Sequence, residues 1–133
     1  MRHRRAYRKL NMPTDQRLAM LRNLTKSLIV HGRIETTQTR AKEARRLAER
    51  LITLAKTDSV HNRREAGRVL GTERKLTPAE RKAGIEKVDP IRKLFETIGP
   101  EMKDKPGGYT RLTSIGYRRG DGVEMAVLEL VPD

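Results

Sequence analysis

The apolar positions near the start of the chain recur with the period of an α-helix. Leucines three or four residues apart fall on one helical face: Leu18, Leu21, Leu24 and Leu28. We expect this helix to begin at Thr14, whose hydroxyl can cap it, with Asp15 at its positive end. It should end at Gly32, because glycine accepts the left-handed backbone angles that follow a helix.

A strand and a second helix are predicted next. The β-branched residues 33–37 indicate a short strand, and Thr39 can cap a helix over residues 40–56. Its apolar side is Ala44, Leu47, Ala48, Leu51, Leu54 and Ala55. A basic row lies on the opposite side at intervals of four: Lys42, Arg46 and Arg50. Glu43 and Glu49 can offset only part of this charge.

Residues 57–89 carry several helix-capping signals. Ser59 can cap a helix over residues 60–70, and residues 71–75 are expected to form a loop. Thr77-Pro78 then begins a polar helix with few apolar members, Ile85 and Val88. We interpret that helix as a surface appendage, since it offers little apolar area to a core.

The last part of the chain predicts one more helix and a hairpin. Asp89-Pro90 is a helix start, and Gly99-Pro100 is its expected end. The compact apolar face between them is Ile91, Leu94, Phe95 and Ile98. Residues 109–117 and 123–131 then predict strands joined by a loop at 118–122. The continuously apolar residues 125–128 suggest the central strand.

The order of these elements predicts an α+β fold. We expect a small mixed sheet of about three strands covered by helices, with a basic N-terminal arm. Residues 14–133 should form a single domain, which suits a chain of 133 residues. Residues 1–13 should form a flexible arm, since they are too charged to bury much apolar surface.

Charge is concentrated in the first part of the chain. The net charge is +13, and residues 1–56 carry 15 Lys or Arg against 4 Asp or Glu. The remaining residues are nearly balanced, with 15 against 13. Asp15 is the first acid, so no carboxylate offsets the arm. A concentrated field of this kind recruits an anionic partner, and three kinds fit: a nucleic acid, an acidic membrane surface or an acidic protein.

Several classes of function find no support in the sequence. No apolar run approaches the roughly 20 residues of a membrane span, and a secretory signal is not expected. The chain has no cysteine, and His3, His31 and His61 lack metal-ligand spacing. No nucleophile, base and orienting group can be identified from spacing. We therefore expect a soluble intracellular protein with no metal or small-molecule ligand, and an enzyme is the third hypothesis, after an RNA-binding and a DNA-binding protein.

Each basic motif has a structural interpretation beside a nucleic-acid one. The basic row Lys42, Arg46 and Arg50 could bind phosphates or simply be a solvated helix face. The positive charge of residues 1–56 favours phosphate binding. In Gly107-Gly108-Tyr109-Thr110-Arg111, tyrosine could stack on a base, or the segment could simply start a strand. Arg118 and Arg119 are either a contact point or ordinary loop residues. The scarcity of aromatic residues argues against single-strand stacking and favours folded, double-helical RNA.

Several motifs together resemble a known family, the seventeenth protein of the bacterial large ribosomal subunit. The quoted segments are Met1-Arg2-His3-Arg4, Arg8-Lys9-Leu10-Asn11, residues 34–43, residues 49–56, Lys93-Leu94-Phe95, residues 107–111, residues 118–121 and residues 125–131. The likeness runs from Met1 to Val131 in the same order. Residues 71–89 depart from it and look like a helical insertion.

The resemblance implies a structural protein bound to 23S-type ribosomal RNA, near the exit of the nascent-chain tunnel and beside other large-subunit proteins. It implies no catalytic activity or cofactor, and a cytoplasmic location within the large subunit. A DNA-binding regulator with a minor-groove arm is the alternative. Combining charge with the resemblance, the candidate RNA-binding residues are Arg2, His3, Arg4, Arg5, Arg8, Lys9, Arg22, Lys26, Arg40, Lys42, Arg45, Arg46, Arg50, Gly107, Gly108, Tyr109, Thr110, Arg111, Arg118 and Arg119.

Overall fold

The computed structural model describes residues 7–71, 78–84 and 87–132. Helix α1 spans Thr14–His31 and ends as predicted, at Gly32 with a φ of 75°. The prediction that Thr14 caps this helix is wrong. Pro13 holds the capping position without a side-chain hydrogen bond, and Thr14 is already helical. Proline fits there because it fixes φ and has no N–H group to satisfy.

Strand β1, Arg33–Thr37, runs directly into helix α2, Gln38–Ala55. Thr39 is therefore inside the helix, and its predicted capping role is wrong. The helix starts early because the extended backbone of Thr37 passes straight into it, with no intervening turn. The Gln38 side chain instead reaches Glu124, donating to its Oε1 atom at 2.8 Å.

Helix α3 spans Val60–Leu70, and its predicted cap is confirmed. The Ser59 hydroxyl accepts a hydrogen bond from the Asn62 N–H at 3.1 Å. Helix α4, Pro78–Lys82, is short, and the predicted cap Thr77 and apolar Ile85 lie outside the described residues. Val88 is exposed. That residues 71–89 are an insertion stays a prediction.

Three contiguous helical segments follow: α5 at Pro90–Lys93, a π-helical turn at Leu94–Ile98, and α6 at Gly99–Glu101. The predicted start is confirmed, because Asp89 accepts hydrogen bonds from the backbone N–H groups of the first turn. The predicted end at Gly99-Pro100 is wrong. Gly99 has helical backbone angles and the helix continues to Glu101, since proline is tolerated in the first turn of a segment.

The two final strands are β2, Thr110–Tyr117, and β3, Glu124–Leu130. The sheet order is β1-β3-β2, so the apolar residues 125–128 do lie in the central strand. The α+β class is confirmed. The sheet is antiparallel rather than mixed, because β3 runs against both of its neighbours. A bulge between Ser114 and Gly116 interrupts the pairing of β2 with β3.

Helix α2 supplies side chains to both parts of the core. The first cluster lies among α1, α2, α3 and the helices after residue 89, and includes Ile52, Leu94 and Phe95. The second lies between the sheet and helices α1 and α2. It consists of Leu28, Ala41, Ala44, Ala48, Ala126 and Leu128. Its alanines let the sheet approach α2 closely, while the basic side of α2 stays in solvent.

Candidate nucleic-acid interface

A tight turn connects residues 7–9 of the basic arm to the start of helix α1. The Met12 N–H donates to the Lys9 carbonyl oxygen at 3.2 Å, which closes a four-residue turn. Its two central residues, Leu10 and Asn11, both have positive φ, at 54° and 52°. Asparagine tolerates these left-handed angles, but leucine rarely adopts them. Other contacts must therefore hold the turn.

Arg17 supplies those contacts from the first turn of α1. Its Nη1 atom donates to the Met12 carbonyl oxygen at 3.2 Å and to the Lys9 carbonyl oxygen at 3.4 Å. Its guanidinium also lies 5.7 Å from the centroid of the Tyr7 ring. Only 9 % of Arg17 is exposed. The residue thus ties the arm to the helix by hydrogen bonds and by a cation–π contact.

Sequence reasoning missed Arg17, although the spacing contained a signal. Residues 17, 21, 24 and 28 also follow helical intervals, and Arg17 occupies the inward position at the start of this series. Leu18, which we had placed on the apolar face, is instead 44 % exposed. A charged residue in register with Leu21, Leu24 and Leu28 could have been identified as an inward-facing arginine with backbone partners.

Beyond the turn, the arm is anchored to helix α2. The Nε atom of Arg8 lies 3.8 Å from the Oε1 atom of Glu43. The Nη1 atom of Arg46 lies 3.9 Å from the Oε2 atom of the same carboxylate. Glu43 is 9 % exposed, so this largely buried acid holds one arginine from the arm and one from the helix. It positions both guanidinium groups at the surface.

These contacts border a concave surface that we call the arginine groove. It encloses about 620 Å³ between the arm, α1 and α2. Its lining residues are Tyr7, Arg8, Thr14, Arg17, Leu18, Leu21, Arg22, Glu43, Arg46, Leu47, Arg50 and Val69. Five arginines therefore surround one carboxylate. Four of them, Arg8, Arg22, Arg46 and Arg50, are residues that the sequence predicted as a binding set.

A second hollow, the hairpin pocket, lies on the other side of the arm and encloses about 440 Å³. It is lined by Arg8, Leu10, Asn11, Thr37, Thr39, Arg40, Arg118 and Val123. Arg8 therefore borders both concavities. The arm turn thus joins basic residues of α1, α2 and the β2–β3 loop into one continuous surface, although they are far apart in the chain.

Other predicted residues lie near this surface without lining either concavity. Lys42 is exposed on α2, and its Nζ atom donates to the Gln38 side chain at 3.3 Å. Arg45 pairs with Glu49 at 3.2 Å. Lys9 is exposed and Lys26 is half-buried. The predicted residues Arg2, His3, Arg4 and Arg5 lie outside the described residues.

The segment Gly107–Arg111 lies apart from both concavities, and its tyrosine is buried. Tyr109 is 3 % exposed, and the Lys56 Nζ atom lies 4.7 Å from its ring centroid. Hydrogen bonding from Lys56, and secondarily from Thr53, lowers the pKa of the Tyr109 hydroxyl. In this conformation the ring completes the core and cannot stack on a base. That part of the prediction is corrected.

The two residues after Tyr109 are also engaged within the protein. The Thr110 hydroxyl is buried and donates to the Glu49 Oε1 atom at 2.8 Å. Arg111 is exposed, with its Nε atom 2.9 Å from the Glu129 Oε1 atom on the central strand. Gly107 and Gly108 are exposed and start the approach to β2. RNA contact at this segment stays a prediction, and Gly107, Gly108 and Arg111 are the residues exposed enough to make it.

The β2–β3 loop presents one paired and one outward arginine. The Arg118 guanidinium bonds both oxygens of Asp121, at 3.0 and 2.5 Å. This hydrogen bonding lowers the pKa of Asp121 to about 2. Arg119 is exposed beside the pair. The loop therefore keeps the Asp121 carboxylate occupied and leaves the charge of Arg119 exposed, next to Arg118 of the hairpin pocket.

The described ranges contain no cluster of three or more side chains suited to holding a metal ion. They also contain no helix that is long and apolar enough to cross a membrane. The chemistry that this surface offers is electrostatic: guanidinium groups, held at fixed positions by a few carboxylates and carbonyls, that can form paired hydrogen bonds to phosphate.

The fold and the surface together define a small, strongly basic α+β protein with arginine-lined concavities, a class suited to binding polyanions. Comparison with known proteins narrows this class. The chain belongs to the ribosomal protein L17 family, whose model matches residues 20–131. A ribosomal protein is a structural component of a ribonucleoprotein particle, so the family agrees with the prediction that the chain is not an enzyme.

Individual relatives align over nearly the whole chain. The large ribosomal subunit protein bL17 of Dictyoglomus thermophilum is 49 % identical over 131 residues, covering 98 % of this chain and 100 % of its own. The proteins of the same name from Clostridium perfringens SM101 and Clostridium botulinum Hall are each 50 % identical over 125 residues. Both alignments cover 94 % of this chain and 97 % of the relative.

Proposed function

We propose that this protein is a structural constituent of the large ribosomal subunit that binds and stabilises folded 23S-type ribosomal RNA. The observation that carries the proposal is the continuous basic surface formed by the arginine groove and the hairpin pocket, which meet at Arg8. Its relatives are named as large-subunit proteins, and the charge of the surface matches an RNA partner. A cytoplasmic location within the subunit follows from this assignment.

Phosphate recognition accounts for the choice of arginine at this surface. A guanidinium can donate two parallel hydrogen bonds to a phosphate, whereas an ammonium acts as a point charge. Arg46 and Arg50 extend from one side of α2, one helical turn apart, and Arg22 extends from α1 across the groove. Rigid helices thus hold these donors at fixed spacing, which favours a folded RNA with phosphates at matching positions.

The arm extends this surface in a way that suits RNA. The turn at Leu10 and Asn11 holds Arg8 where the two concavities meet, and residues 1–9 add five positive charges without an acid. Binding releases counterions condensed on the RNA, so the affinity falls more steeply with salt concentration for each phosphate that is neutralised. The resemblance described above adds a position near the nascent-chain tunnel exit, beside other large-subunit proteins.

The test compares RNA binding by two charge-matched double variants of the full chain. Arg46→Gln with Arg50→Gln removes two guanidinium groups from the groove. Arg63→Gln with Arg92→Gln removes two that line neither concavity and that pair with Asp58 and Glu96. Binding to 23S ribosomal RNA is measured over a series of salt concentrations, with thermal unfolding as the check on folding.

We expect the groove variant to lose affinity and to lower the slope of log affinity against log salt by about 1.5, because two phosphate contacts are lost. The control variant should keep the wild-type slope. Equal slopes for all three proteins would contradict a phosphate-binding role for the groove. A full-length protein that fails to co-sediment with large subunits at low salt would contradict the assignment itself.

A further inference from the structure

We propose that the arginine groove receives a single unpaired nucleotide of the RNA, with its base against the apolar floor and its phosphate among the arginines. This inference rests on the proposed function and goes beyond phosphate binding. The groove would hold a nucleotide that is unstacked from its RNA helix. The basic residues outside the groove would contact the sugar-phosphate backbone of paired RNA.

The floor of the groove is apolar, which phosphate contacts alone do not require. Leu18 is 44 % exposed and lies on the groove side of α1. Leu21, Leu47 and Val69 are half-buried and border the same space. Phosphates cannot use such a surface, because burying apolar area stabilises only an apolar partner. The face of a nucleobase is a flat, weakly hydrated surface that can cover these side chains.

One wall of the groove provides a stacking surface. The Tyr7 ring is 58 % exposed and lies against the Arg17 guanidinium. Hydrogen bonds from Arg17 to the arm turn hold this guanidinium in place. Unstacked RNA bases are commonly recognised by stacking on an aromatic ring or on an arginine plane. A base entering the groove would extend the stack that Tyr7 and Arg17 already form.

The size of the groove favours a nucleotide over a helix. Its volume of about 620 Å³ is within the range of about 300–1,000 Å³ typical of sites for small organic ligands. A paired helix keeps its bases stacked inside and presents mainly sugars and phosphates, which cannot reach an apolar floor. An unpaired nucleotide can rotate outward and place its base there, while Arg8, Arg22, Arg46 and Arg50 face its phosphates.

The experiment uses two RNA hairpins that are identical except for one unpaired 2-aminopurine nucleotide bulged from the stem of the first. Binding of the full-length protein to each is measured by titration, and the fluorescence of 2-aminopurine reports stacking. We expect tighter binding to the bulged hairpin, with quenched fluorescence. Tyr7→Ala should reduce this preference by about 5-fold or more, as loss of one stacking contact does.

Tyr117→Ala is the matched control, because Tyr117 is also an exposed tyrosine but lies at the end of β2, away from the groove. It should keep the full preference. Leu18→Gln, which makes the floor polar, should lower the preference without changing affinity for the paired hairpin. Tyr7 and Leu18 lie outside both buried clusters, so both variants are expected to fold.

Equal affinity of the wild-type protein for the two hairpins would overturn this inference and leave RNA binding intact. A preference that survives Tyr7→Ala together with Leu18→Gln would place the bulge elsewhere and also overturn it. Displacement of the bulged hairpin by poly-glutamate at equal concentration would mark the groove as a site for an acidic protein segment, against the nucleotide. Failure to bind either hairpin while 23S ribosomal RNA is still bound would overturn this inference alone, whereas failure to bind the hairpins and 23S ribosomal RNA would overturn the proposed function as well.

Discussion

Gly99 packs directly against the carbonyl group of Ala55, so closely that a Cβ atom at Gly99 would lie 2.4 Å from the Ala55 oxygen. The same atom would lie 3.0 Å from the Ala55 carbonyl carbon. The contact joins the end of α2 to the start of α6, and both partners are backbone, so neither can rotate away. Glycine is needed here for space, since its φ of −56° is available to any residue.

We therefore expect Gly99→Ala to destabilise the protein by about 1–3 kcal/mol, the usual cost of overpacking a core. The helices after residue 89 would have to move away from α2 and loosen the cluster around Leu94 and Phe95. Urea unfolding of the two proteins measures the difference. Gly67→Ala is the control, because its Cβ would meet only the Ile91 Cδ1 atom at 3.7 Å.

Gly67 lies within α3, where alanine is the better helix former by about 0.5–1 kcal/mol. The control substitution should therefore stabilise the protein or leave it unchanged. An equal loss of stability in both variants would show that the clash at Gly99 is relieved by small shifts, and that the contact with Ala55 does not require glycine.

Arg17 is expected to control the order of the arm turn. In Arg17→Met the side chain keeps most of its length but loses the hydrogen bonds to the Lys9 and Met12 carbonyl oxygens. Because a hydrogen bond from a charged group contributes about 1.5–3 kcal/mol, the Met12 amide should exchange with solvent at least about 10-fold faster. Hydrogen exchange followed by NMR measures this rate.

Arg22→Met provides the comparison for this experiment. Arg22 lies on the same helix and borders the same groove, but its side chain is exposed. Exchange at Met12 should stay at the wild-type rate in this variant. If both variants accelerate exchange equally, general electrostatics rather than the Arg17 contacts would account for the order of the turn.

The Arg118–Asp121 pair gives a prediction about pH. The pKa of Asp121 is lowered to about 2 from 3.8, so the folded state holds its proton less tightly than the unfolded state. The contribution of the pair is therefore complete above about pH 4 and is lost as the pH falls through about 2. A carboxyl-carbon NMR titration should find this low pKa in the wild-type protein.

Substituting Arg118 by Gln removes the main cause of the shift, and the pKa of Asp121 should return towards 3.8. Arg119→Gln removes an adjacent charge that is not bonded to the carboxylate, so the pKa should stay near 2. A wild-type pKa at the ordinary value would show that the pair does not persist in solution. The group is exposed, so its effect on overall stability should be small.

The features of the fold that the sequence predicted correctly depend mostly on interactions between residues close together in the chain. Ser59 and Asp89 cap helices through bonds to residues two or three positions away, and Gly32 ends α1 by its own backbone angles. Long-range packing determined what was missed. For Tyr109 the sequence left both base stacking and a simple strand start open, and the fold decides for the second, because Lys56 and the core cover the ring.

The candidate site was predictable to a similar degree. Charge density along the chain identified Arg8, Arg46 and Arg50, and the family resemblance added Arg40 and Arg118. The fold brings all five to two adjoining concavities. The spatial arrangement of these arginines depends on contacts that the spacing of residues along the chain does not reveal. Arg17 hydrogen-bonds the backbone of the arm turn, and Glu43 pairs with one arginine from the arm and one from α2. Both sets of partners come together only in the folded chain.

The sheet order also has a consequence for biosynthesis. The central strand β3 pairs with β1 at Ile34↔Leu128, so the sheet joins segments separated by most of the chain. A chain emerging at roughly 5–20 residues per second would wait about 4–17 s between the synthesis of β1 and that of β3. During that interval the most basic part of the protein is already exposed without its sheet. Newly made chains should therefore depend on prompt capture, by chaperones or by their anionic partner, to avoid unproductive association.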